Sequence, residues 1–379
     1  MLKRIDYWAR TILPAIFIVF IFANLFCFSI FAIKSKNFNN EVVNEYFASM
    51  EGHDSYIEIY GAVQRVLGKK QIENFTIFKN DYGKLVSPRA QLSASSVEAK
   101  FSEVETVFEY LRNKNIPYLY LGNLLPIEGI NDIPIGAVDY SKDNEIKLKR
   151  ILEKKQVPYF DLYKNIDLTR EELFYRTDHH WSGDACFHAW LALEEWFENS
   201  GVLPTEDIYG PEEFEREVIP DCFLGSYGVK VGKYYAGKDD YVYYNPLFQP
   251  EVLFKQYDAD ETLVNEMSGS WVSTLMDQGI LSNKNYNNKY NASLRGFAYI
   301  NEIVNEQTNN SKKLLVISHS YGRPLVQYLA LNFREVRQID PQSGRFNGNL
   351  AEYIDNYRPD YVIFLVEFEG EVVGEFKVE

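Results

Sequence analysis

The chain has 379 residues, a net charge of −15, and 46% hydrophobic and 25% charged residues, values that exclude a wholly disordered protein. Three cysteines are too few for a disulfide scaffold or a cysteine-built zinc fold. Residues 1–36 carry a charge of +4 and the remainder −19. We therefore expect no nucleic acid partner, because phosphate binding needs clustered Lys and Arg.

The first predicted element is a membrane-spanning helix. Thr11 to Ile33 is a run of 23 residues without a charge, long enough to cross a hydrocarbon core of about 30 Å. Three basic residues precede the run, which predicts a cytoplasmic N-terminus. The sequence thus predicts a cytoplasmic stub and transmembrane anchor in residues 1–37 and an extracytoplasmic domain in residues 38–379. A cleaved signal peptide is the alternative.

Beyond the anchor, helix and strand patterns alternate, and the strand patterns are mostly apolar. This alternation is typical of an α/β fold in which a parallel sheet carries helices on both faces. Residues 203–300 lack clear periodicity, and we expect an irregular insertion of short strands and loops. Helices are predicted at 38–72, 93–113, 144–155, 182–199, 324–331 and 350–356, a short hairpin at 75–86, and strands at 116–122, 157–162, 314–317, 335–339 and 361–366.

Two short segments carry chemically useful side chains. Asp178, His179, His180 and Trp181 stand together just before the predicted helix at 182. Ser320 stands where a buried strand ends and the next helix begins, a place where helix amides can stabilise an oxyanion. A serine needs a base to become a nucleophile, and the base is usually a histidine oriented by a carboxylate.

The residues therefore suggest a nucleophile, Ser320, a base, His180, and an orienting acid, Asp178. Two other interpretations of the first segment stay open. The Asp-His-His-Trp string could cap the following helix with satisfied, buried histidines, or the adjacent histidines could bind a metal, although a closed site needs about four ligands. Cys186 and Cys222 could pair outside the cytoplasm or remain free, since spacing alone fixes no connectivity.

The string Tyr175-Arg-Thr-Asp-His-His-Trp-Ser resembles the signature of the bacterial DHHW protein family. That family is related to the alginate O-acetyltransferases of the AlgJ/AlgX type, in the SGNH hydrolase superfamily. The resemblance also takes in Phe223-Leu-Gly-Ser-Tyr and Ser320-Tyr-Gly-Arg-Pro-Leu. It implies an SGNH-like, flavodoxin-like fold and a triad of Ser320, His180 and Asp178. His319 departs from the Asp that relatives commonly have before the serine.

Seven further residues are candidates for binding the oxyanion or the substrate. The amide of Ser320 or Tyr321 could donate to the oxyanion, and Asn123, at the end of the 116–122 strand, could reach the same place. Arg323 could hold a substrate carboxylate, and Trp181 could stack on a sugar or serve as a packing anchor. The full set is Tyr321, Asn123, Arg323, Tyr175, Trp181, His179 and His319.

The resemblance implies an O-acetyltransferase in the bacterial cell membrane that acts on a cell-surface or exported polysaccharide. A multi-spanning membrane acyltransferase would supply the acetyl group from across the membrane. We expect no metal and no organic cofactor. One alternative is an esterase that removes acetyl groups with the same triad. The other is a non-catalytic glycan-binding scaffold, in which Ser320 would lie too far from His180 to form a hydrogen bond.

Overall fold

The computed structural model describes residues 18, 19, 22, 26, 29–31, 53–122, 124, 127, 133, 134, 136–284, 288–341, 346 and 349–366. The chain divides into two compact units, residues 1–60 and 61–379. The features discussed below belong to the second unit, apart from the first helix, which begins at His53.

From His53 onward the described residues form twelve helices: α1 His53–Val66, α2 Ala94–Asn113, α3 Ser141–Lys154, α4 Leu162–Asn165, α5 Arg170–Leu173, α6 Gly183–Asn199, α7 Ser226–Val231, α8 Lys233–Ala236, α9 Trp271–Leu275, α10 Gln278–Ser282, α11 Arg323–Asn332 and α12 Leu350–Tyr357. Four short 3-10 helices add to these, at Thr205–Asp207, Pro211–Glu213, Lys289–Ala292 and Ser320–Gly322.

Thirteen strands are formed by the same residues: β1 Gln71–Ile72, β2 Ile77–Lys79, β3 Leu85–Val86, β4 Tyr118–Leu121, β5 Tyr159–Phe160, β6 Phe214–Phe223, β7 Asp239–Pro246, β8 Glu251–Tyr257, β9 Leu263–Ser270, β10 Ile300–Val304, β11 Lys313–Ser318, β12 Glu335–Ile339 and β13 Tyr361–Leu365. The predicted hairpin is confirmed by the antiparallel pairing of β2 with β3. The predicted helix at 38–72 is wrong at its end, because α1 stops at Val66 and β1 follows; residues 38–52 lie outside the described residues.

An eight-stranded sheet in the order β5-β4-β13-β11-β12-β10-β8-β9 forms the centre of the second unit. The first five strands are parallel, as the alternating pattern predicts. The last three, β10, β8 and β9, add in antiparallel fashion. The sheet is therefore mixed and not wholly parallel, and its parallel part carries the predicted α/β character.

Alternate residues of the central strands face opposite sides of the sheet, as the two-residue period of a strand requires. In β11, Leu314 and Val316 pack with residues of α6 and α11, whereas Leu315 and Ile317 pack with residues of α2 and α12. All four side chains are fully buried. Helices thus cover both faces, which explains why these strands are continuous apolar runs in the sequence.

Two helices begin at serine N-caps, at the positions where the sequence predicts a helix to start. The Ser93 hydroxyl accepts a hydrogen bond from the Ser96 amide at the start of α2. The Ser182 hydroxyl accepts one from the Ala185 amide at the start of α6. Each bond satisfies an amide that has no partner within the helix, so the predicted starts near 93 and 182 are confirmed.

The segment 203–300 is more regular than an irregular insertion. β6 and β7 form a two-stranded ribbon, while β8 and β9 extend the central sheet. Buried and partly exposed residues alternate along β8, which reads Glu-Val-Leu-Phe-Lys-Gln-Tyr, so no continuous apolar run marks this strand in the sequence. The expectation of short strands and loops is therefore corrected: the segment supplies regular strands to the sheet.

Only seven positions of the predicted anchor at 11–33 are among the described residues. No helix in the described part of the chain has both the length and the apolar character needed to cross a membrane. The anchor thus falls largely outside what the structure describes.

Cys186 and Cys222 are both free thiols. Cys186 is buried in the core, and the Cys222 thiol contacts the Ile219 carbonyl at 3.1 Å.

A buried acid on α6, Glu194, lies within a polar network with Asn332 and Trp190. Glu194 is 1% exposed and accepts a hydrogen bond from the Asn332 amide at 2.5 Å. Asn332 in turn accepts from the Trp190 indole at 2.7 Å. Burial raises the pKa of Glu194 to about 9, so the carboxyl group is neutral at pH 7.

We expect Glu194 to make the fold sensitive to alkaline pH. Its pKa rises from 4.5 to about 9 on folding, so the folded chain holds a proton that the unfolded chain releases between these values. Stability should therefore fall as the pH rises from about 5 to about 9. Glu194→Gln should flatten this slope in urea unfolding at several pH values. An unchanged slope would mean that Glu194 is ionised in the folded chain.

Candidate active site

A closed loop between α5 and α6 carries the Asp-His-His-Trp string. Phe174 and Trp181 form an isolated antiparallel bridge across its base. The Ser182 amide donates to the Leu173 carbonyl at 2.9 Å beside that bridge. Within the loop the Asp178 carboxylate accepts the His180 amide at 2.9 Å, the local turn that Asp forms with an amide two residues on. The turn brings the carboxylate and the imidazole together.

Asp178, His180 and Ser320 form a continuous line of hydrogen bonds. Nδ1 of His180 bonds Oδ1 of Asp178, and Nε2 of His180 lies 2.8 Å from Oγ of Ser320. An ionised carboxylate can only accept, so Nδ1 carries the proton of the neutral ring. Nε2 is then an acceptor, and the Ser320 hydroxyl donates to it. The structure thus brings together the three residues that the sequence suggests.

The Asp178 carboxylate is 4% exposed yet ionised. Burial by itself would raise its pKa, but the hydrogen bond and charge of His180, with smaller contributions from His179 and the Ser226 amide, hold that pKa well below the usual value. The Ser226 amide donates to Oδ2 at 2.5 Å. Both carboxylate oxygens are therefore occupied, and the negative charge persists through the neutral pH range.

A second buried carboxylate, Asp239 at the start of β7, fixes the backbone just before the acid. It accepts the Arg176 amide at 2.8 Å, the Thr177 amide at 2.8 Å and the Thr177 hydroxyl at 2.6 Å. The same hydroxyl accepts the Gly225 amide at 2.8 Å. One carboxylate thus ties the Asp-His-His loop to the ribbon strand and to the segment that contacts Asp178.

Ser320 begins a 3-10 turn at the carboxyl end of β11. Nδ1 of His319 accepts the Tyr321 amide at 3.3 Å and so caps the turn. A Cβ at Gly322 would overlap the Ser318 side chain, whose hydroxyl accepts from the Gln338 amide at 3.0 Å. Glycine is required there by close packing, and the tight turn leaves Ser320 partly accessible at the sheet edge.

Two further hydrogen bonds join this turn to the Asp-His-His loop. The Trp181 indole donates to the Tyr321 carbonyl at 3.1 Å. The Tyr321 hydroxyl donates to the His179 carbonyl at 2.5 Å. Trp181 is 1% exposed, so it is a packing anchor and its ring is not presented to a sugar.

The other predicted candidates are placed as follows. The Tyr321 amide is engaged by His319, so it is not open to an oxyanion. Tyr175 is buried, with its ring edge-on to Phe223 at 4.7 Å. Arg323 is also buried and donates to the Asn291 side chain at 3.2 Å. Asn123 lies outside the described residues.

Two more imidazoles surround the line of hydrogen bonds. His179 has 41% of its side chain exposed and shares a 2.8 Å hydrogen bond with the Ser226 hydroxyl; partial burial and the neighbouring His180 lower its pKa to about 4. His319 is 4% exposed, and burial, His180 and His179 lower its pKa to about 3. Both rings are therefore neutral at pH 7.

Asp178, His179 and His180 offer ligand atoms within 4.8 Å of one another, the spacing of a metal site. Those atoms already have other partners: the Asp178 oxygens bind His180 and the Ser226 amide, and Nε2 of His180 binds Ser320. A metal would have to displace these bonds. The donor set therefore fits a proton-transfer chain better than a metal centre.

Sequence reasoning missed four residues that build the site. Gly225 and Ser226 lie in the Phe-Leu-Gly-Ser-Tyr string at 223–227, whose contact with Asp178 has no local signature. Asp239 holds the loop from β7. Tyr290 stacks on the His180 ring with centroids 3.9 Å apart. Asp239 and Tyr290 carry no sequence signal, because each reaches the site through the tertiary fold.

Solved structures share this fold. PatB1 of Bacillus cereus matches with a TM-score of 0.65 at 16% identity, covering 80% of this chain and 99% of that one. A DHHW family protein from Eubacterium siraeum matches with a TM-score of 0.59 at 19% identity, covering 79% and 93%. The O-acetyltransferase domain of Pseudomonas putida AlgJ matches at a TM-score of only 0.46 and 12% identity, with coverage of 80% and 93%.

No family model and no curated protein matches the chain. The structural neighbours nevertheless include a DHHW family protein, as the signature string predicts. At these identities the likeness establishes the mixed α/β fold, and the AlgJ match is too weak to add an argument. The chemistry must accordingly be argued from the residues of the site.

Replacing Gly225 tests how tightly the segment closes on the acid. Its backbone is extended, so alanine adds no backbone strain, but the new Cβ would overlap Asp178. Gly225→Ala should destabilise the fold by about 1–3 kcal/mol in urea unfolding. Gly279→Ala, whose Cβ meets only Asp277 at 3.1 Å, is the control. Equal stability of the two variants would show that the segment adapts freely.

His319 should make the protein sensitive to acid. Its pKa falls from 6.5 to about 3 on folding, so unfolding takes up a proton between these values and stability should fall as the pH drops from about 6.5 towards 3. His319→Asn keeps an acceptor for the Tyr321 amide but cannot titrate, so its acid limb should be flatter. His319→Ala should lose about 1 kcal/mol at pH 7, the usual cost of removing a cap.

Proposed function

We propose that the protein is an O-acetyltransferase that modifies a cell-surface or exported polysaccharide through Ser320, His180 and Asp178. The observation that carries the proposal is the unbroken hydrogen-bond line from the Asp178 carboxylate to the Ser320 hydroxyl at the end of a parallel strand. This is the arrangement by which a base and an orienting acid activate a serine. Membrane anchoring and an extracytoplasmic site remain part of the proposal.

In the first half-reaction, Oγ of Ser320 attacks the carbonyl carbon of an acetyl donor, and its proton passes to Nε2 of His180. The tetrahedral oxyanion then collapses, the bond to the donor's leaving group breaks, and that group takes the proton from His180. The product is acetyl-Ser320. Asp178 keeps its charge throughout and stabilises the imidazolium.

In the second half-reaction, a sugar hydroxyl gives its proton to Nε2 of His180 and attacks the acetyl carbon. Collapse releases the acetylated sugar, and Ser320 takes the proton back. We assign the oxyanion to the Ser320 amide, because the Tyr321 and Gly322 amides donate to the side chain and carbonyl of His319. A multi-spanning membrane acyltransferase would supply the acetyl group, since cytosolic donors lie on the other side of the proposed membrane.

The distance between Ser320 and His180 argues against the scaffold alternative but not against the esterase. A non-catalytic scaffold predicts that Ser320 and His180 are too far apart to bond, whereas their atoms are 2.8 Å apart. An esterase would use the same residues, with water in place of the sugar hydroxyl. The acceptor must be identified by experiment, and the assay below separates sugar from water.

The test uses the full chain, an activated acetyl ester and an oligosaccharide acceptor. Ser320→Ala and His180→Ala should each lower acetyl release by about a thousandfold or more. Ser102→Ala on α2 and His188→Ala on α6 are the matched controls and should retain activity. Mass spectrometry should show acetyl-Ser320 in the wild type and acetylated sugar as product.

Other outcomes are equally informative. Acetate released at a rate independent of the sugar, with no acetylated sugar formed, would point to the esterase. Full activity in Ser320→Ala would overturn the proposed mechanism. A folded wild type that never acquires an acetyl group from any ester would favour the scaffold.

A further inference from the structure

The phenol ring of Tyr290 lies against the imidazole of His180. The two ring centroids are 3.9 Å apart and the planes are inclined by 19°, so the rings are stacked face to face. Tyr290 is 2% exposed and belongs to the 3-10 helix Lys289–Ala292. That helix lies in the 203–300 segment, outside the strings that the sequence analysis identifies.

Several contacts hold this ring in place. The Tyr290 hydroxyl donates to the Tyr321 carbonyl at 3.3 Å, beside the Trp181 indole that donates to the same oxygen. The preceding residue, Lys289, is itself buried, and its ammonium group donates to the Ile280 and Asn283 carbonyls at 2.6 Å each. The aromatic ring is therefore fixed relative to both His180 and the Ser320 turn.

The face of an aromatic ring attracts a cation and has much less effect on a neutral group. His180 is neutral while Ser320 holds its proton, and it becomes an imidazolium once that proton has moved. Burial raises the pKa of Tyr290 well above its ordinary value, so the phenol stays neutral throughout. A neutral ring face at this distance therefore stabilises the charged state of the base more than the resting state.

We infer that Tyr290 is a positioning residue for the base: its ring holds the plane of His180 and stabilises the imidazolium that forms as Ser320 is activated. The inference rests on the proposed function for its catalytic consequence. The effect of the ring on the protonation of His180 does not depend on which acceptor the enzyme uses. It also gives the 203–300 segment a specific task in the site.

The other groups around His180 do not change their charge near neutral pH. The ionised Asp178 carboxylate lies beside Nδ1 of His180 and favours the imidazolium. The His179 ring, at 3.9 Å, and His319 are both neutral above about pH 5. The Tyr321 ring, at 5.2 Å, is a neutral phenol.

Arg323 places a positive charge beside the stacked rings. Its guanidinium lies over the Tyr290 ring, 5.8 Å from the centroid. A comparison of variants at Tyr290 leaves the charge of Arg323 unchanged, so a difference between them reports the ring itself. The Tyr290→Phe and Tyr290→Leu variants, which differ in the ring, make this comparison.

The kinetic test compares Tyr290→Phe, which keeps the ring, with Tyr290→Leu, which removes it. A cation–π contribution of about 0.5–2 kcal/mol corresponds to a roughly 2- to 30-fold loss of kcat in Tyr290→Leu, while Tyr290→Phe should stay near the wild type. Loss of the ring removes a contact that stabilises the imidazolium, so the acid limb of kcat/KM should move to lower pH in Tyr290→Leu alone. Tyr353→Leu, a buried tyrosine on α12, controls for general core damage.

A second measurement does not depend on activity. In the Ser320→Ala background, the His180 ring can be titrated by NMR in the Phe and Leu variants of Tyr290. We expect His180 to titrate at lower pH in Tyr290→Leu than in Tyr290→Phe. Equal titration, a shift to higher pH, or a loss of activity in Tyr290→Phe as large as in Tyr290→Leu would overturn the inference.

The two measurements separate this inference from the proposed function. If Ser320→Ala keeps full acetyl release, the proposed function fails, and the NMR titration still reports whether the ring stabilises the charged imidazole. If Ser320→Ala is inactive and the titration shows no difference, the triad stands and the role of Tyr290 is rejected.

Discussion

The site is organised around one buried negative charge. An ionised carboxylate can be removed from water only when it is fully hydrogen bonded and paired, because its desolvation is otherwise too costly. Asp178 meets this condition through the His180 amide, the His180 ring and the Ser226 amide. Each of these partners has to be held by further structure, so the demands of a single carboxylate account for much of the surrounding architecture.

The parallel sheet supplies the second requirement, a serine presented at the carboxyl end of a central strand. β11 is buried on both faces, and the chain leaves it through a tight turn at His319–Gly322. The Trp181 and Tyr321 side chains then join this turn to the Asp-His-His loop by hydrogen bonds. The His180–Ser320 contact is thus one of three hydrogen bonds between two segments 140 residues apart, which explains how the geometry can be kept without substrate.

The 203–300 segment connects these parts and is far from peripheral. It provides the Ser226 amide, the Asp239 carboxylate that fixes the loop, and the Tyr290 ring against the base. Its strands β8 and β9 also complete the central sheet. Those three contacts hold Asp178, its loop and the His180 ring in place.

The sequence by itself determined the elements whose signals are local. Apolar runs identified β4, β11 and β13, helical patterns predicted α2 and α6, and the Asp-His-His and Ser-Tyr strings identified the residues that meet. The strands β8 and β9, the support from Asp239 and the stacking of Tyr290 were decided only by the tertiary structure. Asp239 contacts residues 62 and 63 positions away, and Tyr290 stacks on a ring still more distant in the chain. A local pattern contains no information about which distant side chain will pack there.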